Sequence, residues 1–82
     1  MSLQKPYRRK VNKMNKILII HKLIYEVEEL SDKILKLEEF MVSDRFNNIT
    51  ATQQHLLEEQ YDIMRDYLTV LLRRIYNMNE EN

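Results

Sequence analysis

The sequence predicts an all-α protein, an antiparallel hairpin of two long helices that assembles into a homo-oligomeric helical bundle. Two segments repeat apolar residues at alternating three- and four-residue spacings, as helices do when they pack along a seam. One short polar cluster separates the segments, and so short a connection makes the helices antiparallel neighbours. With 82 residues, 44% of them hydrophobic, the chain is expected to form a single small domain, residues 1–82.

The first helix is predicted over residues 12–43, because strand alternation does not fit its apolar spacing. Acid-to-base pairs four residues apart, such as Glu29 with Lys33, support its exposed side. Its predicted seam consists of Ile20, Leu23, Val27, Leu30, Ile34, Leu37 and Met41.

The second helix is predicted over residues 51–78, after a loop at 44–50. Thr50 followed by Gln53 matches a capping box, which marks a helix start near residue 50. Pairing the seams across the loop places Val27 near Leu68 and Ile34 near Tyr61. The predicted seam of this helix consists of Leu57, Tyr61, Met64, Leu68, Leu71, Ile75 and Met78.

Residues 1–11 are predicted to form a basic N-terminal arm. Residues 1–25 carry seven Lys or Arg and no acid, so the rest of this neutral chain has a net charge of −7. A basic arm favours an anionic ligand or an acidic surface on a neighbour. No secretory signal pattern is recognised, which predicts a cytoplasmic protein. The longest apolar run has four residues, which predicts no membrane segment.

Several kinds of active site are excluded by composition. The chain has no Gly and no Cys, which excludes P-loops, dinucleotide-binding glycine turns and thiolate chemistry. The histidines, His21 and His55, are predicted at opposite ends of the hairpin, without metal-ligand spacing. We therefore predict no enzyme activity, no cofactor and no metal site.

A second stripe on the second helix lies beside its seam, so one neighbouring helix cannot cover all of the apolar surface. This predicts a homo-oligomer, from dimer to hexamer, with closed symmetry. The stripe consists of Leu56, Gln60, Ile63, Tyr67, Val70 and Arg74. The predicted interface residues are Ile17, Ile24, Leu56, Ile63 and Val70.

The polar members of this stripe have two interpretations. Gln60, Tyr67 and Arg74 either pair with one another across a subunit interface or line a pocket for a polar ligand. A tyrosine can stack on a purine and an arginine can pair bidentately with phosphate. The simpler alternatives are that Tyr67 belongs to the core and that Arg73 and Arg74 bind carbonyls at their own helix end.

Nucleic-acid binding through the basic arm is a further alternative. A run of basic residues can neutralise several phosphates, but any basic tail has this property. The second helix carries too many acids, among them Glu58, Glu59 and Asp62, to enter a DNA groove.

The central part of the sequence resembles a family of very small bacteriophage proteins that form helical hairpins. The resemblance rests on Lys36-Leu37-Glu38-Glu39-Phe40, Ser43-Asp44-Arg45-Phe46, Ile49-Thr50, Gln54, Leu56-Leu57, Gln60, Met64, Tyr67, Leu71 and Arg74-Ile75. Members of this and similar phage groups act as sponges: they bind nucleotide second messengers of CBASS or Thoeris immunity without catalysis. The resemblance implies such a role in an infected bacterial cell, with Phe46, Gln60, Tyr67 and Arg74 binding the ligand.

On chemistry alone we add Arg45 and the arm residues Tyr7 and Arg8 to the predicted ligand-binding set. The predicted function is therefore sequestration of a cyclic oligonucleotide or a cyclic ADP-ribose type of messenger. The alternatives are a structural or protein-binding coiled-coil oligomer and a nucleic-acid-binding protein that uses the basic arm.

Overall fold

The computed structural model describes residues 13–80. Over this range it contains three helices, α1 (Lys13–Met41), α2 (Asp44–Asn47) and α3 (Ala51–Glu80), and no strand. The two long helices, α1 and α3, pack against each other along their length. The predicted all-α hairpin is confirmed. The predicted arm, residues 1–11, lies outside the described residues.

The C-terminus of α1 lies two residues before the predicted boundary. Ser43 closes the last turn, since its backbone N–H (3.0 Å) and its hydroxyl (2.6 Å) both donate to the carbonyl of Phe40. A serine that bonds the backbone in this way competes with continuation of the helix. The helix therefore ends at Met41.

The segment predicted as a loop at 44–50 contains the one-turn helix α2. Its four residues are too few for a periodic pattern, so the sequence gives little sign of it. The side-chain amide of Gln54, on α3, donates to the carbonyl of Phe46 (2.9 Å), which ties α2 to the start of α3. Throughout the described residues no φ angle is positive, so a chain without glycine can make this turn.

The start of α3 is the one that the capping box predicts. The backbone N–H of Gln53 donates to the hydroxyl of Thr50 (3.1 Å), and α3 begins at Ala51. The hydroxyl satisfies one of the N–H groups that the first turn of a helix leaves unpaired. At its other end α3 continues to Glu80, two residues beyond the predicted end.

The core is the single seam between α1 and α3. Its buried residues are Leu23, Leu30, Ile34 and Leu71, with exposures of 3%, 8%, 7% and 0%. Every other predicted seam residue on both helices is half-buried. Ile19, which falls outside the predicted seam, also packs against this core. The apolar spacing therefore identifies the inner sides of both helices.

Two hydrogen bonds between α1 and α3 agree with the predicted register of the hairpin. The hydroxyl of Tyr61 donates to the carboxylate of Glu38 (2.5 Å), and the hydroxyl of Tyr67 donates to the carboxylate of Glu26. The guanidinium of Arg65 in turn donates to the hydroxyl of Tyr61 (3.2 Å), and this hydrogen bond raises the pKa of Arg65. Neither long helix has the run of apolar residues that a membrane span requires in the part of the chain described.

Candidate functional site

The hairpin has two broad sides, which the two tyrosine hydrogen bonds distinguish. Six residues separate Tyr61 from Tyr67, and twelve separate Glu38 from Glu26, so each pair is about 120° apart around its helix. The two bonds therefore flank the seam on opposite sides. We call the side with the Tyr67–Glu26 bond the front face and the side with the Tyr61–Glu38 bond the back face.

The predicted second stripe of α3 lies on the front face and is exposed to solvent in a single chain. Its apolar members and its tyrosine are about half exposed: Leu56 47%, Ile63 60%, Tyr67 45% and Val70 48%. Gln60 and Arg74 are exposed as well. These values exclude the alternative that Tyr67 is a core residue of the single hairpin.

The five predicted interface residues do not form one patch in the single chain. Leu56, Ile63 and Val70 share the front face. Ile17 and Ile24, with 47% and 41% exposure, lie on the back face by the periodicity of α1. One chain therefore exposes apolar residues on two sides.

Tyr67, Glu26 and Arg74 are three polar residues of the front face. The pKa of Tyr67 is raised, first by its hydrogen bond to Glu26, then by desolvation and by the charge of that carboxylate. The positive charge of Arg74 lowers the same pKa, because it favours the ionised phenol. Seven residues, or about 10 Å along α3, separate Tyr67 from Arg74. A phenol, a carboxylate and a guanidinium thus share one surface.

An open concavity of about 740 Å³ lies along the last turns of α3, and of these three residues only Arg74 lines it. Its volume is within the range of small-molecule sites. It is lined by Thr69, Val70, Leu72, Arg73, Arg74, Tyr76, Asn77 and Met78. Two guanidinium groups, a phenol, an amide and a hydroxyl are available there, which suits phosphate and base recognition.

Neither arginine in this concavity is engaged by the described part of the chain. Arg73 and Arg74 form no hydrogen bond and no ion pair with residues 13–80. In the described residues, these arginines therefore do not bind the carbonyls at the end of their own helix, as the simpler alternative predicted. Both guanidinium groups can accept an anionic partner.

The charge of the hairpin differs between its two ends. The half that contains the turn, residues 27–65, has a net charge of −5. The other half, residues 14–26 and 66–80, has a net charge of +1 and contains the concavity. We call this second half the open end. An anion is attracted to the open end and repelled by the turn.

Arg45 and Phe46 lie at the turn, away from Tyr67 and Arg74. The rings of Phe46 and Phe40 meet edge to face with centroids 6.1 Å apart, and the guanidinium of Arg45 lies 5.5 Å from the centroid of Phe40. Twenty residues separate Gln54, which binds Phe46, from Arg74, or about 30 Å along α3. Within one chain these predicted residues therefore form two separate groups.

Three predicted ligand-binding residues remain, and the structure describes one of them. Gln60 lies on the front face, and its side-chain amide donates a long hydrogen bond to the sulfur of Met64 (3.7 Å). Tyr7 and Arg8 lie outside the described residues. No group of three or more possible metal ligands occurs within residues 13–80.

Glu26 is the residue of this site that the sequence-based prediction missed. The predicted register pairs Val27 with Leu68, and their neighbours on the same side are Glu26 and Tyr67. Moving one residue outward from the seam on each helix therefore identifies Glu26 as the partner of Tyr67.

Comparison with known families matches this hairpin to one of them. The sequence model of the Sequestin family, described as Sequestin, matches residues 19–77, which includes most of α1, the turn and nearly all of α3. Comparisons with curated proteins and with solved structures found no match. Because the match extends over more than half of the sequence, the chain belongs to the Sequestin family.

Proposed function

We propose that this chain sequesters a nucleotide second messenger of bacterial antiphage defence, of the cyclic oligonucleotide or cyclic ADP-ribose type. In this proposal it acts as a phage sponge in the cytoplasm of an infected bacterium. The ligand binds at the open end of the front face and is released unaltered. No catalytic group is required for this role.

Membership of the Sequestin family supports a sequestering role for this chain. The name of the family implies that a ligand is bound and withheld rather than converted. It does not specify the ligand, so the chemical class must come from the residues of the site. The sequence resemblance to phage nucleotide sponges points in the same direction.

The observation that carries the proposal is the arrangement on the front face at the open end. Tyr67 is half exposed and held by Glu26, and Arg74 has no partner among the described residues. A held tyrosine ring offers a stacking surface, since its orientation is already restricted. The guanidinium of Arg74, two turns away, offers bidentate binding to phosphate. Purine and phosphate are the two recognisable parts of a nucleotide.

A second copy of the chain is proposed to close the site. Small-molecule sites usually bury 70–90% of the ligand, which the exposed side of one two-helix layer does not provide. Leu56 and Ile63 continue the stripe toward the turn, and Val70 lies between Tyr67 and Arg74. All three suit contact with another copy. Ile17 and Ile24 on the back face suit a second contact, so the assembly can exceed a dimer.

The affinity that a sponge needs is within reach of such a site. Nanomolar binding corresponds to about −12 kcal/mol. A dinucleotide of roughly 45 heavy atoms that gains about 0.3 kcal/mol per atom reaches this value.

Titration calorimetry with a panel of nucleotides tests the proposal. The panel contains cyclic dinucleotides, cyclic trinucleotides and isomers of cyclic ADP-ribose. We expect at least one to bind with submicromolar affinity and to be recovered chemically unchanged after the protein is denatured. A ligand recovered as a cleaved product would contradict the non-catalytic role.

A structural or protein-binding coiled coil is the second candidate. The Tyr61–Glu38 and Tyr67–Glu26 bonds favour it, since polar contacts beside a seam can fix the register of packed helices. Absence of binding across the whole panel, by a folded protein, would favour this candidate. The nucleic-acid alternative depends on the basic arm, and it predicts DNA binding that falls steeply with salt.

A further inference from the structure

Glu26 has binding capacity that its contacts within the hairpin do not use. Its side chain is half-buried on α1, and one oxygen, Oε2, accepts the hydroxyl of Tyr67. Among the side chains of residues 14–80, no other group donates to this carboxylate and no cation forms an ion pair with it. An ionised carboxylate can accept about four hydrogen bonds. The described side chains therefore leave the second oxygen, Oε1, open to a ligand.

The position of this carboxylate sets a condition on the ligand. Glu26 lies beside the phenol on which a base would stack, and Arg74 lies about 10 Å farther along α3. A negative charge here repels phosphate, so a site for phosphate alone would be weakened by Glu26. The charge becomes favourable when the ligand brings a hydrogen-bond donor to it, because a charged acceptor makes a strong hydrogen bond.

We propose that Glu26 is a specificity-determining residue that selects nucleotides with a hydrogen-bond donor facing its carboxylate. This inference rests on the proposed function of the front face. Two parts of a nucleotide supply such a donor, a ribose hydroxyl and the exocyclic amino group of a base. Acidic side chains bind ribose hydroxyls in dinucleotide sites and base amino groups in nucleic-acid interfaces.

The competing explanation is that Glu26 only holds Tyr67 and stabilises the packing of the helices. The two explanations differ in the effect of charge. Glu26→Gln keeps an oxygen that can accept the hydroxyl of Tyr67, and it removes the negative charge. Tyr67→Phe removes the same hydrogen bond, and it keeps both the ring and the carboxylate.

The test is a comparison of matched ligands by titration calorimetry. The probes are cyclic di-AMP and cyclic ADP-ribose, each with a 2′-deoxy counterpart and a counterpart in which hypoxanthine replaces adenine. We expect wild-type protein to bind one probe at least about tenfold more tightly than one of its counterparts, since a charged hydrogen bond is lost. A loss with the 2′-deoxy counterpart identifies the ribose, and a loss with the hypoxanthine counterpart identifies the amino group.

The variants then assign this preference to Glu26. We expect Glu26→Gln to bring the affinity ratio close to one, and Tyr67→Phe to keep the wild-type ratio. Glu29→Gln is the matched control, because it removes the same charge from an exposed position three residues away on α1, and it should also keep the ratio. Circular dichroism of each variant verifies that the helices are intact.

The outcomes separate this inference from the function on which it rests. If wild-type protein binds neither cyclic di-AMP nor cyclic ADP-ribose, the proposal for these nucleotides fails and the role of Glu26 fails with it. If wild-type protein binds a probe but does not distinguish its counterparts, or if Glu26→Gln keeps the ratio, only the inference is overturned. Loss of the ratio in Tyr67→Phe as well as in Glu26→Gln would support the purely structural explanation.

Discussion

Leu71→Ala is expected to remove most of the stability of the hairpin. Leu71 is 0% exposed and belongs to the buried core of the seam, together with Leu23, Leu30 and Ile34. Removing a buried leucine side chain costs about 2–5 kcal/mol, through lost burial and the cavity that remains. A core of this size contributes only about 3–5 kcal/mol in total. Urea denaturation followed by far-ultraviolet circular dichroism measures the loss.

The neighbouring residue provides the control for this substitution. Leu72 has the same side chain on the same helix, and it is 50% exposed. Leu72→Ala does not alter the seam, so it should change the free energy of unfolding by less than about 1 kcal/mol. A loss for Leu72→Ala as large as that for Leu71→Ala would mean that the inner side of α3 is assigned incorrectly.

Arg74→Glu is expected to abolish nucleotide binding and to leave the protein folded. The substitution removes a guanidinium that can bind phosphate and adds a charge that repels it. A charged hydrogen bond contributes about 1.5–3 kcal/mol, so with repulsion added the affinity should fall by at least about a hundredfold. Calorimetry with the tightest-binding member of the nucleotide panel measures this change. Tyr67→Ala, which removes the stacking surface, is expected to have an effect in the same direction.

A charge reversal away from the site controls for the net charge of the protein. Lys36 on α1 lies in the acidic half, and its exposed ion pair with Asp32 (3.1 Å) contributes little to stability. Lys36→Glu changes the net charge by the same amount as Arg74→Glu and should leave the affinity nearly unchanged. Equal losses in both variants would indicate that only overall charge attracts the ligand. An unchanged affinity in Arg74→Glu would place the site elsewhere.

Much of the fold can be predicted from the sequence because apolar spacing alone identifies the seam. Every predicted seam residue is buried or half-buried, and Thr50 caps α3 as its spacing to Gln53 indicates. The one-turn helix α2 could not be predicted, since four residues are too few to show a period. It depends on a contact from Gln54, eight residues beyond Phe46.

The candidate site was harder to predict because it depends on both helices at once. Tyr67 and Arg74 could be identified from one helix, since they share a stripe with period seven. Glu26 belongs to the other helix, and its role emerges only when the register is carried across the hairpin. The separation of Arg45 and Phe46 from Tyr67 follows from the length of α3, which a list of candidate residues does not reveal. Periodicity identifies the sides of a helix, and three-dimensional packing determines which sides meet.

The assembly and the ligand can be tested together by sedimentation velocity. Wild-type protein is mixed with the tightest-binding nucleotide of the panel, and the boundary is followed both by protein absorbance and in the absorption band of the nucleotide. We expect one boundary that sediments faster than a single chain would and that contains both the protein and the nucleotide. A stable, folded single chain at micromolar concentration that sediments without nucleotide would contradict the proposal that copies of this hairpin meet to enclose a nucleotide.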